Sequence, residues 1–461
     1  MRFSVRLVLL LFVALPVLAA SAPQPHTEQP FPDFGFLPPP SSYTGPAFKL
    51  SQDYPTTLDS HMPPFMNMDF HDMQNYMAAV RHYCIEGNPE VDWVVQNNKI
   101  RKWYHMPWQH YGTTGREGVR GLTKEAPVQQ YQLAATQAFK GGQTYAVGFY
   151  NPRGAYAIGH VWKHHFHPDP QWLNDHGFPE GTVVSKLLFV TNPINEIPSL
   201  AVNPIQWNAY VATSFTSSDR VFQKVTLIQM DIAVRDHRAP LGWIFGTFQY
   251  NGALNNKNPW DNLTPVGLMF GNDPENNADT YTNPTPNVTK INPDIKESII
   301  NATSDLPSTH LGWNGRLNGP VDNPRSSCMS CHMTAESPQL SQMSPLFNST
   351  PPGVPAVGSA EWMRWFQNIK CQHAFDTGAL STDFSLQMAI ALQNFRSWDK
   401  TQDGIFASDY TPAPSTKGHK LKAMRLDIQG SREAGAGNEV PIIRDKPEAQ
   451  ENQPPAPKPP L

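Results

Sequence analysis

The hydrophobic pattern changes period along the chain. In residues 71–86, HDMQNYMAAVRHYCIE, Met73, Met77, Val80 and Cys84 recur at helical spacing and predict an amphipathic helix. The next segment, WVVQNNKIRKWYHMPWQHYG, is aromatic and basic without a period and reads as irregular packing chain. From 143 to 270 the pattern becomes short β-branched or aromatic runs: TYAVGFY, AYAIGHVW, TVVSKLLFVT, KVTLIQMDIAV, GWIFGTFQY and PVGLMFG. Turn-forming NPRG, FPEG and NG separate or follow them. Most of these runs have no helical pattern between them, so an antiparallel sheet is expected rather than βαβ units. Residues 271–327 are rich in Asn, Pro, Asp and Thr and read as loop. Two further amphipathic helices are expected in SAEWMRWFQNIK and DFSLQMAIALQNFRSW. The fold class expected is α+β, an antiparallel sheet flanked by helices from both ends of the chain.

The ends are of another kind. Arg2 and Arg6 precede LVLLLFVALPVLAA, and Ala20-Ser21-Ala22 supplies small residues at a cleavage spacing. That is the pattern of a secretory signal over 1–22. The apolar run is short for a membrane span and is broken by Pro16. Residues 23–46 form a Pro-rich lead-in, and 411–461 a Pro-rich tail with too few apolar residues to fold alone. The remaining divisions are 47–142, helical or irregular; 143–335, β-rich with insertions; and 336–410, helical. The expected product is periplasmic or otherwise exported, with no membrane segment once the signal is removed.

Composition narrows the function. Of the 461 residues only 16% are charged, the formal net charge is −4, and no basic stripe appears. A nucleic-acid partner therefore has no support. Trp and Phe number 12 and 24, enough to line an apolar cofactor pocket.

The chemistry concentrates in NPRSSCMSCHMTA, residues 323–335. Cys328, Cys331 and His332 form Cys-x-x-Cys-His, the attachment spacing of a c-type haem. Two thiols on one turn can reach the two vinyl groups, and the adjacent imidazole can reach the iron. An exported chain is where such attachment takes place. A thioredoxin-like pair would need a preceding strand, and GPVDNPRSS is none. A zinc site would need four ligands, and the other cysteines, Cys84 and Cys371, belong to no second pair. One covalently attached haem c is the cofactor expected, with His332 as metal ligand. For the sixth iron position Met343, Met363, Met388 and His373 are all long enough in reach. An open sixth site is the other option, and it would make the haem a ligand-binding or catalytic one.

Other residues carry weaker expectations. HVWKHHFHPDP places His160, His164, His165 and His167 together, a conceivable metal site or a histidine rim. Cys84 and Cys371, spare in an oxidising compartment, tend to join in a disulfide or else stay buried as thiols. Arg316 or Arg325 could pair with a haem propionate or be solvated.

Around the motif, YNPRGAYAIGHVWK, FPEGTVVSKLLFV and QMDIAVRDHRAPLGWIFGTF, followed by CMSCH, resemble cytochrome P-460 and cytochrome c′-beta over residues 143–335. The resemblance implies an exported single-haem protein on an antiparallel sheet. It places Lys186 where the P-460 members cross-link a lysine to the macrocycle, making it a cofactor-binding candidate. Read from the residues alone, Lys186 shares a strand face with Val184 and Leu188, so it either reaches a rim, pairs with an acid or lines a pocket. The chain departs from the family in length, and the catalytic acid of the hydroxylamine-oxidising members has no match. Three functions remain open: a haem oxidoreductase acting on a small molecule, an electron carrier with a class I cytochrome c domain at 320–400 and Met388 as ligand, and a non-catalytic gas-binding haem protein. The redox partner is unknown.

Overall fold

The computed structural model describes residues 39–401 except 110–115, 129–132, 134–141, 213–216, 218, 278–285, 296–311, 324 and 346–354. The expected signal peptide, most of the lead-in and the tail lie outside the described residues. Among those described, no helix is long and apolar enough to cross a membrane.

The strands are β1 (Thr123–Lys124), β2 (Thr144–Tyr150), β3 (Val183–Val190), β4 (Gln206–Ala212), β5 (Arg220–Arg235), β6 (Trp243–Tyr250), β7 (Leu263–Met269) and β8 (Thr289–Ile291). All eight pair antiparallel in the order β1-β2-β3-β5-β6-β7-β8, with β4 on the N-terminal half of β5. A separate ladder joins β9 (Glu336–Ser337) to β10 (Leu380–Ser381). The helices are α1 (Met73–Ile85), α2 (Pro152–Val161), α3 (Pro170–His176), α4 (Cys328–His332), α5 (Ala360–Met363) and α6 (Leu386–Thr401). The fold is α+β around a large antiparallel sheet.

Every position of β2 and β6 is buried, so both faces of the sheet are covered. One face carries Leu187, Met230, Ile232 and Phe248 and packs on Met77 and Val80 of α1. Each such fully buried side chain contributes roughly 1.5–3 kcal/mol of burial free energy. Gly246 lets α1 come close, because a Cβ there would lie 2.7 Å from the Met77 sulfur. The other face carries Tyr150, Ala233, Phe245 and Met269. It packs on α2, α3, the buried Met329 of α4, Trp362 of α5 and Met388 of α6. The N-terminal helix and the late helices therefore cover opposite faces.

The structure corrects several expectations. AYAIGHVW is no strand. Asn151 caps α2 by accepting from the Gly154 amide, and Pro152 at the first helical position presets the backbone. The segment after β3 supplies a further strand, β4, and residues 271–327, expected as loop, supply β8. SAEWMRWFQNIK makes one short helix, α5, followed by a 3-10 turn through Phe366. Cys84 and Cys371 are not joined. Cys84 is buried beside α1's neighbours on one face, whereas Cys371 packs against the other.

Candidate cofactor site

The Cys-x-x-Cys-His segment folds as the single turn α4. Ser327 caps it in a reciprocal box: its hydroxyl accepts from the Ser330 amide at 3.0 Å, and its amide donates to Ser330 Oγ at 2.7 Å. The Cys328 amide donates to Leu317 O at 3.0 Å, fixing the entry of the chain. Met329 and Ser330 are buried, while Cys328, Cys331 and His332 are partly accessible. The chemistry-bearing residues thus share the open side of the turn. Neither thiol is in a disulfide. Burial raises the Cys331 thiol to about 11 and Cys328 well above its usual value, the latter with help from the charges of Asp231 and Asp322. Both are protonated at neutral pH.

His332 is oriented from behind. Its Nδ1 lies 2.8 Å from Phe384 O, and a carbonyl can only accept, so Nδ1 carries the proton. Nε2 then keeps its lone pair, the arrangement found behind metal-bound imidazoles. Burial lowers the His332 pKa to about 4, against the favourable Phe384 carbonyl, so the ring is neutral at pH 7. The Phe245 ring from the sheet face lies 4.6 Å from the imidazole.

Opposite this turn, the sheet presents a polar row. Direct partners across the ladders are Gly148, Lys186, Asp231, Thr247 and Gly267, on strands β2, β3, β5, β6 and β7. Direct partners point to one face, and Val184 and Phe245, two residues along their strands, place that face on the side of α4. Lys186 and Asp231 are partly accessible, although their flanking residues Ser185, Leu187, Met230 and Ile232 are buried. The Lys186 ammonium lies 3.5 Å from Glu125 Oε2. Burial opposes its charge, but Glu125, Asp231 and Asp322 outweigh that and hold its pKa above the ordinary value. Asp231 accepts from Thr247 Oγ1 at 2.6 Å and from Gln229 Nε2 at 2.9 and 3.0 Å. The same amide reaches Asp322 Oδ2 at 3.3 Å. Burial, then Asp322, raises the Asp231 pKa to about 7. The row and α4 therefore lie close together, with Asp231 and Asp322 felt at Cys328 and Lys186 felt at His332. Gly148 leaves room for the Gln387 amide of α6, since a Cβ would lie 2.1 Å from its nitrogen. Gln387 Oε1, over the Gly148 that pairs with Lys186, is buried without a hydrogen-bond partner. Two thiols in no disulfide and a tautomer-fixed imidazole on one side of a turn, facing a sheet that holds an orphaned side-chain carbonyl, are the donor set that a covalently held macrocycle needs.

Other expected residues are placed elsewhere or committed. The Met388 sulfur is buried and accepts from Trp162 Nε1 at 3.3 Å, whereas Met343 and Met363 are partly accessible. His373 is exposed, its Nδ1 2.9 Å from Cys371 O. Arg316 is fully buried and donates to the carbonyls of Asn272, Trp313, Asp273 and Asn276, between the rings of Trp313 and Phe366. It is neither solvated nor turned to a propionate. Arg325 is half-buried. His160 stacks on Trp172 at 4.5 Å, and His164 and His167 are exposed. Among the described residues, the three-ligand grouping is Glu180, Asp236 and His237, not this segment. Its Asp236 is already forked by Arg238 at 2.6 and 2.9 Å.

Asp231, Asp322, Glu125, Gln229 and Phe384 were not anticipated. The signal for the first was available: Gln229 and Asp231 alternate inside the apolar run LIQMDIAV, and two polar residues on one strand face require partners. Phe384 acts through its carbonyl, which sequence does not reveal.

A second carboxyl pair lies past α4. Glu336 is fully buried, accepting from the amides of Asp376 at 2.7 Å and Leu340 at 3.2 Å. Asp376 pairs with Arg364. Burial, then the neighbouring Asp376, raises the Glu336 pKa to about 8. An acid raised in the fold holds its proton while the unfolded chain has lost it. Stability from this group is therefore fully present below about pH 4.5 and falls as pH rises toward about 8. Glu336→Gln removes that loss. Thermal unfolding at pH 5 and pH 8 should show the drop in Tm between them reduced by a few degrees in the variant; an unchanged drop would contradict the buried pair.

Compared with family profiles, curated proteins and solved structures, the chain matches none.

Proposed function

We propose that this chain is an exported monohaem c-type cytochrome whose haem accepts a small-molecule ligand, the oxidoreductase class of the functions open from sequence. Cys328 and Cys331 hold the macrocycle through thioethers, and His332 Nε2 binds the iron. Bound there, the haem supplies one-electron redox chemistry and ligand binding at its iron. The observation that supports this reading is that Cys328, Cys331 and His332 form the accessible side of α4, close enough to Asp231, Asp322 and Lys186 to feel their charges.

The protein's own residues then have distinct tasks. Phe384 O holds the His332 tautomer and ring angle. Lys186, paired with Glu125, keeps a positive charge close to the turn. Asp231, near pH 7 on the boundary of its two states, can give or take a proton there. Thr247 and Gln229 fix that carboxyl in place. The resemblance to cytochrome P-460 and cytochrome c′-beta supports Lys186 as a cofactor-binding residue and matches no acid to Asp231.

The electron-carrier alternative needs a sixth protein ligand. Of the four candidates, the Met388 sulfur is engaged by Trp162 and His373 is on the surface, which leaves Met343 and Met363, both partly accessible, for the carrier to use. Ferrous protein exposed to carbon monoxide should change its visible spectrum within the mixing time. A spectrum unmoved by carbon monoxide would establish a tightly held sixth ligand and favour the carrier.

A further inference from the structure

Asn272 touches both ends of α4. Fully buried, it accepts at Oδ1 from Ser327 Oγ, the N-cap hydroxyl, at 3.1 Å. Its Nδ2 donates to the sulfur of Met333, the C-cap residue, at 3.3 Å, and to Gln367 O at 3.0 Å. Its own backbone is pinned, with the amide donating to Asn368 Oδ1 at 2.9 Å and the carbonyl accepting from Arg316 Nε at 2.7 Å. A turn of five residues has too few internal hydrogen bonds to hold itself. It depends on such external anchors, and here one side chain supplies both.

We infer that Asn272 is the positioning residue of the attachment turn, holding the two thiols at the separation that lets both add to one haem. The inference rests on the haem reading above. Each addition forms a carbon–sulfur bond at a vinyl group, breaks the vinyl π bond and places the thiol hydrogen on the neighbouring vinyl carbon, so no oxidant or reductant is consumed. The two additions require Cys328 and Cys331 to present to one macrocycle together, and a fraying turn would complete one and miss the other. Asn272 also fixes the Met333 sulfur in place.

The test uses the full chain produced in cells equipped for c-type cytochrome maturation, with three variants. Asn272→Ala removes both arms, Asn272→Asp keeps the oxygen that Ser327 requires, and Met333→Leu removes only the sulfur arm. Two readouts are taken on the folded fraction. The first is the proportion of polypeptide carrying one thioether rather than two, read from the α-band of the pyridine haemochrome. The second is hydrogen exchange of the amides at 330–333, which needs no haem. Asn272→Ala should raise the one-thioether share several-fold and speed exchange about tenfold or more. Asn272→Asp and Met333→Leu should each give a smaller change in the same direction. A merely destabilised protein would lower the yield without altering the thioether ratio of what folds. Should Asn272→Ala not fold, the two milder variants decide on the same readouts. Wild-type ratios and exchange in every folded variant would overturn the inference. A colourless wild-type chain whose exchange still accelerates in the variants would sink the haem reading and with it the attachment role, leaving only the clamp on the turn.

Discussion

Exchanging both Cys328 and Cys331 for serine is expected to abolish haem that survives denaturation, while the sheet still folds. The thiols are in no disulfide and are partly accessible. The contact from Cys328 Sγ to Asn318 Oδ1 is long, at 3.9 Å. Serine keeps the size and a donor at each position, so the loss of stability should stay within about 1 kcal/mol per site. Far-ultraviolet circular dichroism should match the wild type. Acidified organic solvent should then strip all colour from the variant and none from the wild type. Each single serine variant should retain haem through one thioether. Haem that stayed bound to the double variant after extraction would show that attachment runs through another residue, and Lys186 would be the first to examine.

Lys186→Met should cost about 2–3 kcal/mol at pH 8. Removing one member of a buried ion pair costs about 3–5 kcal/mol, and the Lys186 side chain is 29% exposed, so solvent recovers part of it. The variant leaves Glu125, Asp231 and Asp322 gathered without the ammonium. Asp231, already raised to about 7, is pushed higher still. An acid raised in the fold contributes stability that falls as pH rises through its folded value, so the deficit should grow with pH. Denaturant unfolding at pH 5 and pH 8 checks this: a small loss at pH 5 and the full loss at pH 8 is expected. Equal losses at both pH values would mean that the carboxylates are not felt. The same variant decides the chemical bond that the resemblance implies for Lys186. If the lysine is cross-linked, the visible spectrum shifts in Lys186→Met; if it only pairs with Glu125, the spectrum keeps its shape.

How much could be read beforehand varied by element. Strands β2, β3, β5, β6 and β7 were legible because each is a β-branched or aromatic run bounded by turn residues. The short β1 and β8 carry no such run and form only through their neighbours. The helix α2 was misread because AYAIGHVW is as apolar as a strand. The decisive signal was the Asn151-Pro152 start, a local capping cue weaker than the apolar run. At the site, Cys328, Cys331 and His332 are adjacent in sequence, and their joint role follows from spacing. The polar row is assembled by register across β2, β3, β5, β6 and β7, which no local pattern encodes. The clamp at Asn272 and the carbonyl of Phe384 come from residues 56 before and 52 after the turn's own Cys328 and His332. Their part is visible only once the chain has folded.

The most direct measurement is the mass of the wild-type polypeptide, denatured after recovery from cells equipped for cytochrome maturation and paired with its metal content. The account predicts the exported chain plus one haem, with one iron per molecule. A bare polypeptide mass, or zinc in place of iron, would contradict it.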